Sequence, residues 1–369
     1  MPINVLVISK YTDYHSTRPE ASIFHGLAKK GFQIYVMTRR DSAHAEEFEK
    51  SGIKVIDFHP TQKFARKESQ FIRTFIKEHH IDILHLFNGK AIMNGLRAAR
   101  GLDVKVVLYR GYAGNINWWD PTAYLKFLHP RADAIFCNSK GVEEYLRSKM
   151  LCKKEKAITI NKGHDVSWYE GTRAANVHQL FNLPQDAFVL VNIANNRRMK
   201  GIPYLLKAMN NLPQEANIHL LLIGRDMDNK ENRSILSQSP NAHKVHFPGF
   251  RDDVLEIVAG SDLFVLPSIK GESITKSVIE SMSLETPALI TDIPGNRELL
   301  EHNVSGVVVR AKNSDDLTHA ILALSQDKAR CQELGKNAKK YIAKRLNHVR
   351  TIQQTAALYQ RLYAEKKAP

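Results

Sequence analysis

The sequence predicts an α/β fold of two doubly wound parallel-sheet units in tandem. Short β-branched runs alternate with helical stretches, the pattern of strands joined by crossover helices. That alternation stops at the polar stretch 172–185 and then begins again. A length of 369 residues also exceeds what one hydrophobic core usually serves.

In the first unit, residues 5–8 read as a buried central strand, 21–28 as a helix ending at Gly31, and 34–38 as the next strand. Further strands are expected near 54–58, 83–86, 104–108, 135–137 and 157–160, with a boundary near residue 175. The second unit starts with a strand at 188–194 and a helix at 203–209, followed by strands at 219–224, 244–247 and 263–266. After Asp315 the chain reads as helical to its end, and 350–369 extends beyond what the second unit needs. Ligands of such sheets bind beyond the carboxyl ends of the strands, so two facing units would hold two substrates across a cleft. Neither unit carries Gly-x-Gly-x-x-Gly, which removes the main sequence support for dinucleotide redox chemistry.

Hydrophobic content of 43% and charged content of 25% are those of a globular protein. Cys137, Cys152 and Cys331 are too few and too scattered for a disulfide framework or zinc site. The N-terminus lacks a basic lead, and its apolar run is too short for a signal peptide or a membrane span. A cytoplasmic protein is expected. The net charge of +15 calls for phosphates, nucleic acid or an anionic bilayer surface, and residues 1–180 carry 28 Lys and Arg against 18 Asp and Glu.

The most informative stretch follows the 263–266 strand. Pro267 and Gly271 break the apolar run, and Ile274, Val278, Ile279 and Met282 recur at helical spacing. The amides around Ser273, Ile274 and Thr275 then form a helix N-terminus suited to a phosphate or diphosphate. Glu280 lies about five residues into that helix, roughly 7.5 Å along its axis. That is the reach from a diphosphate to the ribose of the same nucleotide, whose diol a carboxylate can accept. Glu272, on the loop side, could hold the hydroxyls of whatever the diphosphate carries. By spacing alone the two glutamates also fit a solvated helix residue and a helix-dipole partner.

The 195–201 loop joins the second unit's first strand to its helix, where Arg197 and Lys200 could neutralise a departing diphosphate. Asp226 and Asp228, at another strand end, form an Asp-x-Asp that could chelate a divalent metal or simply line a solvated turn. The turn is preferred, because cationic side chains already fill the neutralising role, and no metal is expected. On the other unit, His85, Asn88 and Arg110 end apolar strands, and Arg18 and Glu20 lie in a loop after the first strand. Lys63, Arg66, Gln70, Arg73 and Lys77 recur at spacings of three and four beside Phe64, Phe71, Ile72, Phe75 and Ile76. This basic stripe is either a solvated face or a contact with an anionic bilayer.

Glu272 to Glu280 resembles the Glu-x7-Glu motif of the retaining glycosyltransferases of family 4. Asp292, Gly295 and Glu298 are similar to that family's Asp-x-x-Gly-x-x-Glu turn. The 195–201 loop resembles its Asn-x-Arg-x-x-Lys-Gly form, with Asn195 where many relatives have Arg. Residues 129–139 and 160–165 are similar to its Ala-Asp…Ser strand and Asn-Gly-x-Asp turn, so the resemblance spans both units. Residues 17–20 lack the Gly-Gly pair that many members have there.

The resemblance implies a GT-B fold: an acceptor-binding Rossmann-like domain at 1–175, a nucleotide-sugar domain at 176–349, and a last helix, 350–369, crossing back. It implies a metal-independent retaining hexosyl transfer from a nucleotide-diphosphate sugar to a saccharide or glycolipid in cell-surface polysaccharide or lipopolysaccharide synthesis. No cofactor and no nucleic-acid partner are expected, and the expected location is cytoplasmic, either free or peripheral on the inner face of the cytoplasmic membrane. Glu272, Arg197 and Lys200 would be catalytic. Glu280, Ser273, Ile274, Thr275, Asn195, Arg251 and Val254 would bind donor, and His85, Asn88, Arg110, Arg18 and Glu20 acceptor. A nucleotide-sugar epimerase of the same fold and a non-enzymatic polyanion-binding protein are the competing readings. The first would form product without an acceptor.

Overall fold

The computed structural model describes residues 2–151 and 153–367; Cys152 lies outside these. The chain forms two compact units: Met1–Gly163 with Asn347–Pro369, and His164–Leu346. The division falls at Gly163 rather than near residue 175, for a local reason. His164 N–H bonds Leu346 O at 2.8 Å and Ala175 N–H bonds Glu256 O at 2.9 Å, so the polar stretch before the second sheet is fastened to it.

The first unit holds seven parallel strands: β1 (Asn4–Ile8), β2 (Gln33–Thr38), β3 (Lys54–Asp57), β4 (Ile83–Leu86), β5 (Lys105–Arg110), β6 (Ala134–Cys137) and β7 (Ala157–Thr159), ordered β3-β2-β1-β4-β5-β6-β7. Alternate residues face opposite layers. Leu6, Ile8, Leu84, Leu86, Val106 and Leu108 pack under the Arg66–Glu78, Gly89–Ala98 and Lys140–Lys149 helices. Val5, Val7, Ile83 and Val107 pack under the Tyr14–Lys29 and His348–Lys367 helices. The last helix is fixed to this unit by Tyr359 and Leu362 in the core and by a Lys366–Asp82 ion pair of 2.7 Å.

The first helix starts at Tyr14, seven residues before the expected start. The Asp13 carboxylate caps it by accepting from Ser16 N–H at 2.7 Å. Pro19 sits inside this helix, where its missing N–H costs one backbone bond near the N-terminal end without ending the helix. Arg18 and Glu20 are therefore helical and not on a loop.

The second unit holds β8 (Phe188–Ile193), β9 (Ile218–Ile223), β10 (Val245–Gly249), β11 (Leu263–Leu266), β12 (Ala288–Thr291) and β13 (Val307–Val309), all parallel and ordered β10-β9-β8-β11-β12-β13. Strand order reverses between β8 and β11, the place where ligands of open α/β sheets collect. Among the described residues no helix is long and apolar enough to cross a membrane.

Candidate functional site

At that reversal the loops leaving β8, β11 and β12 interlock. Gly201, with φ at +69°, lies so near the Pro267 carbonyl that a Cβ would stand 2.0 Å from its oxygen. A Cβ on Gly295 would stand 1.9 Å from the Glu272 carbonyl oxygen. Ile269 N–H bonds Met199 O at 2.8 Å, and the Thr291 hydroxyl donates to Ser268 O. These contacts fix where Glu272 leaves the main chain.

The Glu272 side chain, 9% exposed, is held at both oxygens. Oε1 pairs with Lys200 Nζ at 2.6 Å and accepts from Ser268 Oγ at 2.7 Å, while Oε2 accepts from Thr275 Oγ1 at 3.2 Å. Thr275 is the N-cap of the Lys276–Ser283 helix, but its side chain makes no capping bond. The cap side chain therefore leaves the first-turn amides at the positive end of the helix dipole, where an anion is stabilised. Ile274 is buried against Val278 and Ile279 and anchors the turn, and Ser273 is buried beside it. Glu280 follows one turn in, paired with Lys276 Nζ, its side chain 13% exposed. The site thus offers two carboxylates with cationic neighbours on either side of a row of backbone donors.

Asn195, Arg197 and Arg198 are exposed on the β8 loop. Arg251 forks onto Asp253 at 2.7 and 2.5 Å and lies 5.8 Å from the Phe181 ring, with Val254 half-buried at the start of the next helix. Asp228 is gripped bidentately by Arg233 at 2.7 and 2.9 Å, which holds its carboxyl below the usual range. Among the described residues no three His, Cys, Asp or Glu side chains gather as a metal site would need.

In the first unit the candidates part company. His85 is wholly buried, its Nδ1 2.7 Å from the Tyr359 hydroxyl, and burial drives its pKa down to about 3. It is a core residue facing the last helix, and the structure removes it from the acceptor set. Arg110 also points inward: it is 5% exposed, donates to Gly114 O, and lies 3.8 Å from the Tyr112 ring and 4.7 Å from that of Phe127. It orders the segment after β5 and is almost wholly shielded from solvent. Glu20 is buried as well, accepting from Ser9 Oγ at 2.5 Å and lying 3.5 Å from Lys162 Nζ, so it balances a buried charge. Asn88 caps the Gly89–Ala98 helix through Ala91 N–H at 3.1 Å and meets His59 at 2.9 Å. Arg18 lies over the Tyr14 ring. The basic stripe is also thinner than its spacing implies. Lys63 precedes the helix, which begins at Arg66, and Arg73 donates to Ala98 O and Arg100 O.

Residues 175–341 match the family described as Glycosyl transferases group 1, and residues 21–168 the one described as Glycosyltransferase Family 4. The two matches together span both units. This chain is a family 4 glycosyltransferase. Its architecture is GT-B: two Rossmann-like units, each a parallel sheet between helices. The N,N'-diacetylbacillosaminyl-diphospho-undecaprenol alpha-1,3-N-acetylgalactosaminyltransferase of Campylobacter jejuni is 24% identical over 355 residues, covering 88% of this chain and 89% of that protein. The UDP-Gal:alpha-D-GlcNAc-diphosphoundecaprenol alpha-1,3-galactosyltransferase of Escherichia coli is 22% identical over 299 residues, covering 77% and 76%. Among solved structures, Anabaena HepE in complex with UDP superposes with a TM-score of 0.79 at 19% identity, covering 98% of this chain and 100% of that one.

Two partners in the glycosyltransferase's site carry no role in the motif reading. Ser268 lies four residues before Glu272 and holds it, a contact across a non-helical loop that no spacing rule announces. Lys276 and Glu280 are a helical i, i+4 pair, which spacing does announce once the helix start is known.

Proposed function

We propose that this glycosyltransferase moves a hexosyl unit from a UDP-sugar to a saccharide on a lipid diphosphate, with retention of configuration and without a metal. The observation that carries the donor side is the Lys200–Glu272 pair of 2.6 Å beside an uncapped helix N-terminus, with Glu280 one turn on. In this reading the donor diphosphate lies on the amides of Ser273 to Thr275, and the ribose diol on Glu280. Lys200 releases Glu272 to the sugar hydroxyls and turns to the diphosphate together with Arg197. The C1–O bond to the diphosphate breaks as the acceptor oxygen bonds C1 on the same face, and the acceptor proton passes to the departing diphosphate oxygen. The protein supplies position and positive charge where negative charge grows. Asn195, Arg251 and Val254 complete the nucleotide side.

UDP is favoured by the HepE likeness, and a lipid diphosphate by the names of the Campylobacter and Escherichia relatives. Such an acceptor would hold the protein at the inner face of the cytoplasmic membrane, where Arg66, Lys67 and Lys77 stand exposed near Phe71. The test is incubation with a panel of UDP-sugars and an undecaprenyl-diphosphate-linked saccharide, with and without EDTA, followed by NMR of the anomeric centre. Transfer with the donor's configuration, unchanged by EDTA, is expected. An inverted product, or a new sugar nucleotide formed without acceptor, would refute the reading.

A further inference from the structure

The first unit carries a second apolar feature that the donor chemistry does not use. Of the twelve large hydrophobic side chains exposed among the described residues, eight lie between residues 64 and 151. Apart from Phe64, the segments bearing them contribute side chains to the core on the sheet face of Leu6, Ile8, Leu84 and Leu86. The opposite face is roofed by the Tyr14–Lys29 and His348–Lys367 helices. Exposure peaks on one segment and its neighbour: Trp118 at 54%, Trp119 at 67% and Leu151 at 73%.

The segment is built to hold them there. Ile116 exchanges two bonds with the Tyr145 hydroxyl, at 3.0 and 2.9 Å, which ties it to the Lys140–Lys149 helix. Arg110 braces it from below through Tyr112 and Phe127. Between the segment and the end of that helix lies a cavity of about 330 Å³, lined by Tyr124, Phe127, Leu128, Ile135, Met150 and Leu151. From Arg147 to Lys156 the chain carries five cations against one acid; Lys153 is exposed at the rim of the cavity, and Lys154, next in the chain, is exposed as well.

We propose that this cavity takes an acyl chain of an anionic membrane phospholipid, with Trp118, Trp119 and Leu151 entering the interface around it and Lys153 and Lys154 meeting the headgroup phosphate. Each part suits that occupant. Trp and Tyr combine an apolar ring with a polar edge and settle at the water–lipid boundary, the hollow accepts hydrocarbon, and the rim has the sign that anionic lipid requires. A protein partner would gain from the exposed rings, but the excess of cations over the single acid there favours phosphate. The inference rests on the reading of a membrane-bound acceptor and assigns the surface that would meet the bilayer.

The chain has three tryptophans, and Trp168→Phe leaves Trp118 and Trp119 as the only reporters. Adding phosphatidylglycerol vesicles brominated on the acyl chains should shift their emission to the blue and quench it, while phosphatidylcholine vesicles should do neither. Leu151→Ser with Lys153→Gln and Lys154→Gln should lower sedimentation with anionic vesicles at least about tenfold. Sedimentation without quenching would place the contact on another face, and either that, equal binding to neutral vesicles, or an unaffected triple variant would overturn the proposal. Transfer to a short-chain, water-soluble diphosphate-linked acceptor is measured in parallel without vesicles. Its absence counts against the proposed reaction and leaves the quenching result standing, whereas intact transfer with no quenching removes the lipid site alone.

Discussion

Gly295→Ala tests how the donor site is held. The new Cβ would meet the Glu272 carbonyl oxygen at 1.9 Å, its carbon at 2.2 Å and Ser273 N at 2.7 Å, all backbone atoms with no rotamer to move aside. Reaching even a 3.0 Å separation opens the gap by 1.1 Å. Much of that movement falls on the 267–275 loop, which carries Glu272 away from Lys200 and Ser268. A displacement of about 1 Å at a positioning group can cost about 10²-fold in rate, and overpacking of this kind costs about 1–3 kcal/mol of stability. For a unit of this size that is a fall of about 2–12 °C in Tm. Turnover of a UDP-sugar and calorimetry on the same preparation measure both. Gly89→Ala, where nothing lies within 4 Å, is the control and should change neither. Full turnover at a lowered Tm would refute the claim that this turn sets the position of Glu272.

Glu280→Ala should raise the Kd for UDP by isothermal calorimetry about 10- to 150-fold, because two ribose hydroxyls lose a charged acceptor worth about 1.5–3 kcal/mol; an unchanged Kd would remove the ribose assignment. Lys200→Ala should lower kcat more than it raises KM, since the charge it meets is greatest as the diphosphate departs, and a change in KM alone would make it a ground-state binder. His85, held neutral by burial down to about pH 3, makes the first unit lose stability as pH falls below 6.5, because there the unfolded chain binds a proton that the folded one does not. Between pH 6.5 and 5 this amounts to roughly 2 kcal/mol, and denaturant titrations should show that increment missing from His85→Phe.

The strands and the donor loops were legible because each is local. A buried parallel strand is a β-branched run, and the loop at its carboxyl end inherits its position from the strand. Glu272, Lys200 and Glu280 can thus be grouped from the sequence, although the Lys200–Glu272 contact and the close approaches at Gly201 and Gly295 join loops that are distant in sequence. The first unit was harder to read for the same reason. His85 and Arg110 end apolar strands, as a ligand residue would, but their partners, Tyr359 and Phe127, come from other elements and turn both inward. At 17–20, Pro19 reads as a break. The Asp13 cap and the burial of Glu20 against Ser9 and Lys162 outweigh it.

The charge excess has a partly structural origin. Arg73 donates to Ala98 O and Arg100 O at the end of the Gly89–Ala98 helix, and Arg97 to Phe64 O. Lys156 donates to Pro130 O and Ala132 O, Lys244 to Gln214 O and Ala216 O, and Arg110 to Gly114 O. These cations meet carbonyls left open at helix ends and turns, sites that need a donor but not a carboxylate. None of the five has a carboxylate within ion-pair distance among the described residues, so each adds to the net charge while satisfying the backbone. Other cations are exposed, among them Arg197 and Arg198 on the β8 loop, Lys153 at the rim of the apolar cavity, and Arg66, Lys67 and Lys77 on the Arg66–Glu78 helix. A polyanion-binding protein would need its excess spread over an open face. Here part of it satisfies carbonyls and part stands on the loop beside Lys200 and Glu272, which suits an enzyme that handles phosphates.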